Sequence, residues 1–477
     1  MTEATSSSAP VLWTARDAAA AVNGTLQGAD WNATGVSIDS RTVKPGDLFI
    51  ALAGPNFDGH AYAAKALTAG ASAVLVSHRP DDLPADASVL LVEDTFAALQ
   101  DLGSVARLRT RAKIVAVTGS VGKTSTKEAL AVCLGALAPT FATAGSLNNH
   151  WGVPLSLARM PADSVYAVFE LGMNHAGEIG PLSRQVQPDV AVITTIEAVH
   201  LEFFSSVEAI ADAKAEIFEG MSPNGTVVLN RDNPHYARLV AAARTKGLSR
   251  ILGFGTAEDA AARLTECSAH ATCSAVTAVI KGEPIQYGVS LPGRHHVMNS
   301  LGVLLAVQAL GGDVATAAQA LAKVKPIKGR GVRKRVRLGG DWLTIIDESY
   351  NANPVSMGAA FRSLGARQAS GRRIVALTDM LELGAEGPSF HSALAGPLEE
   401  ASVDLVFCAG PLMKSLWDSL PPTRRGGYAE TAAELAPLVS AALEPCDLVM
   451  VKGSNGSRAG AVAAALKALD VRSGETG

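Results

Sequence analysis

The chain is poor in cysteine, in net charge and in long apolar runs, and each shortage excludes something. Its five cysteines, Cys133, Cys267, Cys273, Cys408 and Cys446, are scattered and odd in number, so they form no disulfide framework and a reducing compartment is expected. Cys267, His270 and Cys273 crowd together in CSAHATC, but structural zinc wants four ligands and no second pair follows, so no zinc site is expected there. The 41 basic and 45 acidic side chains leave a net charge of −4, which gives no support to nucleic-acid binding. The densest basic run, RGVRKRVR at 330–337, alternates as a solvated strand would and reads as a wet face or an interdomain linker. The best apolar stretch, LGVLLAVQALGG at 301–312, is too short to span a membrane. The opening residues, MTEATSSSAP, lack a basic segment followed by an apolar core and read as a frayed tail rather than a signal peptide. A soluble cytoplasmic protein without membrane insertion is the expectation.

What is present is a foldable chain: 48% hydrophobic and 18% charged residues suit a compact protein. Its 477 residues suggest about three domains of roughly 150 residues each. After some hundred residues of short strands and alanine-rich helices, the texture changes at Lys113. The apolar runs KIVAV (113–117), VYAVFEL (165–171), DVAVITTI (189–196) and GTVVLN (225–230) alternate with helical stretches, which argues for a parallel sheet covered on both faces. Near 325–340 the composition turns to Lys, Arg, Gly and Pro, and a hinge is expected there. Beyond it DWLTIIDESY, RRIVALTDM, VDLVFCAG and CDLVMVKGS are four strand-like runs of a second, smaller α/β unit.

Open parallel sheets gather ligands beyond the carboxyl ends of their strands. After KIVAV comes TGSVGKTS, with only Ser120 and Val121 between Gly119 and Gly122 where the common phosphate loop has four residues. Strand, glycine loop and helix still arrive in the order a phosphate needs, with free N–H groups at the helix start. Lys123 would sit against the terminal phosphates and Thr124 could ligate Mg²⁺; the alternative is a glycine turn with an ordinary surface lysine. Glu170 ends the next strand, and a buried acid there is costly unless paired or metal-bound; the alternative is a surface glutamate. His200 follows a third strand, where a lone histidine reads more simply as a packing residue. Lys214 lies among Ala, Ile and Phe in ADAKAEIF, an awkward place for an ammonium unless its stem snorkels.

Taken together, TGSVGKTS, NNHWGVP, FELGMNHAGEI, AVHLEFF, AKAEIF, GRHHVMNSL and DESYNANPVSM resemble the Mur ligase family of peptidoglycan synthesis. They stand in family order from about Ser40 to about Arg458, and DESYNANPVSM with TDMLELG and VKGSNGSR is similar to the member that adds D-alanyl-D-alanine. The family's loop is itself the short form, T-G-x-x-G-K-T. The resemblance implies an α/β fold of three domains. These are a UDP-sugar-binding domain at 1–110, a central P-loop parallel-sheet ATPase domain at 111–328, and a Rossmann-like dipeptide-binding domain at 329–477.

It also implies ATP and Mg²⁺ as cofactors and UDP-N-acetylmuramoyl-tripeptide and D-alanyl-D-alanine as substrates of a monomeric enzyme. Thr118, Gly119, Ser120, Val121, Gly122, Lys123, Thr124 and Ser125 would hold the phosphates. Lys123, Glu170, His200 and Lys214 would be the catalytic set. Thr124, Glu170, His200 and a carbamylated Lys214 would hold Mg²⁺, and carbamylation needs the neutral amine that desolvation favours. Asn230, Asp232 and Asn299 correspond to positions around base and ribose, and Arg330 and Asp347 to residues that reach ATP. Ser40 and Arg41 match the uridine-diphosphate site, and Asn351 and Asn353 face the dipeptide. The tripeptide carboxylate would attack the γ-phosphorus, and the dipeptide amine would displace phosphate from the acyl phosphate. Three departures stand out: His296 where the family has asparagine, Thr378 where it has glycine, and GSNGSRAG in place of GSRSMxME. A sister ligase that adds the third residue shares the chemistry, but its DNPR motif is absent. Folylpolyglutamate synthetase would not need the first hundred residues, and a non-catalytic nucleotide-binding scaffold would not need the metal set.

Overall fold

The structure, a computed structural model, describes residues 10–54, 57–270 and 272–472; most of the tail read at the amino terminus lies outside them. Three large sheets organise it. The first has five strands in the order Thr25–Gln27, Val89–Leu91, Ala73–Val76, Asp47–Ile50 and Gly35–Ser37. All pairs are parallel except that of the first two. Helices Ala15–Val22 and Thr95–Arg109 cover one face around Trp13, Leu48, Ile50 and Leu99. The Trp13 indole N–H donates to Ala158 O at 2.9 Å and ties this unit to the central one.

The central sheet has nine strands. Thr140–Ala142, Tyr166–Glu170, Lys113–Thr118, Val190–Ile193, Thr226–Asn230 and Arg250–Gly255 run parallel, and Ala262–Ala269, Ser274–Ile280 and Glu283–Val289 extend one edge as an antiparallel meander. Successive side chains of a strand point to opposite faces. Val115 and Val117 accordingly join one core with helices Lys123–Gly135 and Arg294–Ala309. Ile114 and Ala116 join the other with helices Ile179–Val186 and Val207–Ala215. Both faces are covered, as continuous apolar runs require.

The third sheet runs Val332–Leu338, Asp341–Glu348, Leu448–Lys452, Arg373–Thr378, Leu405–Ala409 and Arg425–Ala429, parallel from its second strand onward. Part of the stretch 325–340 where a hinge is expected is therefore regular structure. Val332–Leu338 is a strand paired antiparallel with Asp341–Glu348. Arg333, Arg335 and Arg337 are exposed on one side while Val336 on the other is buried, so the alternation belongs to a sheet edge with a wet face. No helix among the described residues is long and apolar enough to cross a membrane.

Candidate active site

The glycine loop is held by its neighbours. Ser120 N donates to Thr195 O at 2.8 Å, its hydroxyl donates to Glu197 O at 3.1 Å, and Glu197 N donates back to that hydroxyl at 2.9 Å. The Thr194 hydroxyl donates to Val121 O at 2.6 Å. Thr118 is fully buried at the strand end, and Gly119 and Gly122 have φ of 143° and 88°. A Cβ on Gly119 would lie 2.0 Å from Thr194 Oγ1, and one on Gly122 2.6 Å from Asn299 Nδ2, so both positions exclude other residues. Helix Lys123–Gly135 starts directly at Gly122, and its first N–H groups have no intrahelical acceptor. Lys123 Nζ donates to Gly119 O at 2.7 Å, folding the lysine over the loop. Two residues between the glycines are enough because the next strand's loop, rather than extra residues, braces the turn.

Glu170 is 1% exposed at the end of its strand. Its Oε1 accepts from Asn148 Nδ2 at 2.7 Å, while its buried Oε2 has no partner. Lys214 is equally buried on helix Val207–Ala215. Burial, joined by the charge of Lys123, pushes the Lys214 amine well below the usual lysine range, which favours the neutral form. Lys123 is depressed as well, first by desolvation, with Glu170 opposing the shift. Lys123, Glu170 and Lys214 thus form one electrostatic group around the loop. His200 is held differently. It has φ of 56°, and its Nδ1–H donates to Glu382 of the third unit at 2.5 Å. Glu382 lies below the ordinary carboxylate range chiefly because of that bond. Among the described residues no three His, Cys, Asp or Glu side chains gather as a ready metal cage.

A cavity of about 340 Å³ separates the central and third units. The central wall carries Ser120–Ser125, Asn230 and Asn299; the opposite wall carries Arg330, Asn351 and Asn353. The Arg330 guanidinium stacks 4.2 Å from the Tyr350 ring centroid, and its buried Nε has no partner. Asn353 caps helix Pro354–Gly365 in a capping box with Ser356.

Other expected residues are placed elsewhere. The Asp232 carboxylate accepts from Thr256 N and Ala257 N and lines a separate surface groove. Asp347 is 3% exposed and engaged by Lys467 and by Ser349 N and Oγ. Ser40 and Arg41 lie in the first unit, where exposed Arg41 makes a fork with Asp39 that holds the Asp39 carboxyl down at about 2. Of the departures, His296 lines the cavity beside His295, ring centroids 4.1 Å apart, and desolvation pushes it well below the usual histidine range. The Thr378 hydroxyl packs where a Cβ on Gly453 would lie 1.8 Å away, so a glycine elsewhere makes room for it. Sequence reasoning missed Glu197 and Lys452 as cavity residues; the strand-end position of Lys452 was the available signal.

Comparison with known proteins agrees with this arrangement. Residues 32–130 match the model described as Mur ligase family, catalytic domain; 117–307 match Mur ligase middle domain; 333–455 match Mur ligase, glutamate ligase domain. The chain is 36% identical to UDP-N-acetylmuramoyl-tripeptide–D-alanyl-D-alanine ligase of Rickettsia prowazekii (strain Madrid E), over 89% of this chain and 93% of that protein. It superposes on the crystal structure of MurF from Acinetobacter baumannii with a TM-score of 0.81 at 30% identity, covering 95% and 98% of the two chains. MurF ligase from Thermotoga maritima in complex with ADP has the same fold, with a TM-score of 0.75 at 24% identity over 92% and 98%. This chain belongs to the Mur ligase family.

Proposed function

We propose that the chain is an ATP-dependent ligase that joins D-alanyl-D-alanine to UDP-N-acetylmuramoyl-tripeptide, acting in the cytoplasm as a monomer. The observation that carries the reading is the single cleft in which the phosphate loop with Lys123 faces the third unit's strand ends and the Asn351–Asn353 turn. The Rickettsia prowazekii relative carries that activity in its name, and the A. baumannii and T. maritima folds cover nearly the whole chain. Residues 1–110 are the proposed UDP-sugar unit with Ser40 and Arg41, 111–328 the ATP unit, and 329–477 the dipeptide unit.

Lys123 and the loop N–H groups hold the terminal phosphates and offset charge as the tripeptide carboxylate attacks the γ-phosphorus. Arg330 offers a buried, unsatisfied Nε to the nucleotide. The dipeptide amine then attacks the acyl carbon and phosphate leaves, in a cleft whose walls keep water from the acyl phosphate. The residues present fit Mg²⁺: the orphaned Glu170 Oε2 is an acceptor without a protein donor, and Thr124 stands beside the loop. Mg²⁺ when bound supplies positive charge opposite the phosphate oxygens. Glu170, His200, Thr124 and Lys214 are the proposed holders, Lys214 as a carbamate formed when its neutral amine adds CO₂ and releases a proton. The test is the mass of the product: incubation with ATP, Mg²⁺, UDP-N-acetylmuramoyl-tripeptide and D-alanyl-D-alanine yields a product one dipeptide heavier, less water. No such product overturns the reading.

A further inference from the structure

Lys452 ends the strand Leu448–Lys452 and stands in register opposite Glu348, the last residue of the parallel strand beside it. Both reach the carboxyl edge of the third sheet, where open parallel sheets take their ligands. Both line the cleft across from the phosphate loop. Lys452 is 3% exposed, so its ammonium has lost its bulk water. Among the described residues it recovers one hydrogen bond, to Asn351 O at 2.9 Å. Its ion pair with Glu348 is at 3.7 Å, beyond hydrogen-bond reach. An ammonium has three donors, so two are left for an acceptor that arrives with a ligand. Burial lowers its pKa first, and Glu348 opposes that shift and favours the charged form.

The acceptor in the proposed reaction carries a free amine, which attacks, and a free carboxylate at its far end, which must be held without bulk water. Lys123 belongs to the phosphates. The C-terminal wall supplies a buried cation with spare donors at Lys452. We propose that Lys452 is the specificity residue that reads the terminal carboxylate of the acceptor dipeptide. A charge-assisted hydrogen bond of this kind discriminates by about tenfold to a hundredfold. The inference rests on the ligase reading above.

The test compares D-alanyl-D-alanine with its C-terminal amide as acceptors, using the full chain with ATP and UDP-N-acetylmuramoyl-tripeptide. The wild type should prefer the acid. Lys452→Met should raise KM for the acid by about tenfold to a hundredfold and leave KM for the amide and for ATP near wild type, so the preference collapses. Lys452→Arg, which keeps the charge, should retain the preference and decides the matter if the methionine variant does not fold. A Lys452→Met enzyme that still prefers the acid, a KM change confined to ATP, or a Lys452→Arg enzyme that uses acid and amide equally overturns the proposal. If the wild type joins no dipeptide at all, it is the ligase reading that fails.

Discussion

At the scale of the residue, Lys214 makes the sharpest claim. Its folded pKa lies well below the ordinary 10.5, so between the two values the unfolded chain binds a proton that the folded chain does not. Stability then rises with pH through that window, and the cost of the buried amine is greatest below the folded pKa and absent above about 10.5. In buffer depleted of CO₂, Lys214→Met should melt higher than wild type, with a gap that widens as pH falls from about 10. A gap independent of pH would mean the amine is not desolvated in the folded state. The carbamate makes its own prediction: ¹³C-bicarbonate should give the wild type a carbamate carbon resonance that Lys214→Met lacks. Lys123→Ala should reduce phosphate release in the complete reaction by at least about a hundredfold, since it removes charge from the transferring phosphoryl group.

Residue-level legibility was uneven for physical reasons. Lys123 and Gly122 could be read because a phosphate loop needs them adjacent in sequence. The pairing of Lys452 with Glu348 could not, because the two meet only through strand pairing, 104 positions apart by their numbers. The partners of Asp232 and Asp347 were not legible either, since the Thr256 N that bonds Asp232 and the Lys467 that engages Asp347 are brought to them by the fold.

Among the elements, helix Pro354–Gly365 separates structure from function at one position. Asn353 both caps it and lines the cleft. Asn353→Ala should cost about 1 kcal/mol of stability through the lost cap, measured by chemical denaturation, while Asn353→Ser should restore most of it. If activity returns with the cap in the serine variant, Asn353 acts only as a cap; the proposed dipeptide contact predicts that the serine variant folds well but keeps a raised KM for the dipeptide. The parallel central strands were legible as uninterrupted apolar runs buried on both faces. The meander at 262–289 was not, since no such apolar run crosses it: the last five residues of Ala262–Ala269 are exposed, and Glu283–Val289 is exposed over much of its length. Arg425–Ala429 was lost for a related reason: RGGYA contains two glycines, which weaken a strand signal.

For the whole molecule, hydrogen bonds tie the central unit to the third at His200 with Glu382 and at Glu202 N with Glu382 O, 3.3 Å. Such contacts permit relative motion of domains. Small-angle scattering should register compaction when UDP-N-acetylmuramoyl-tripeptide and a non-hydrolysable ATP analogue are added together, and unchanged scattering would remove closure from the mechanism. The three-domain plan was legible because the family motifs span most of the chain; the basic run at 330–337 was legible only as a wet face or a linker, because a basic edge strand and a basic linker have the same composition. The most direct test of the whole is phosphate release from ATP with Mg²⁺ and the UDP-tripeptide, with D-alanyl-D-alanine added or withheld. Release that requires both substrates is the predicted result; release indifferent to the dipeptide, or none with intact protein, would contradict it.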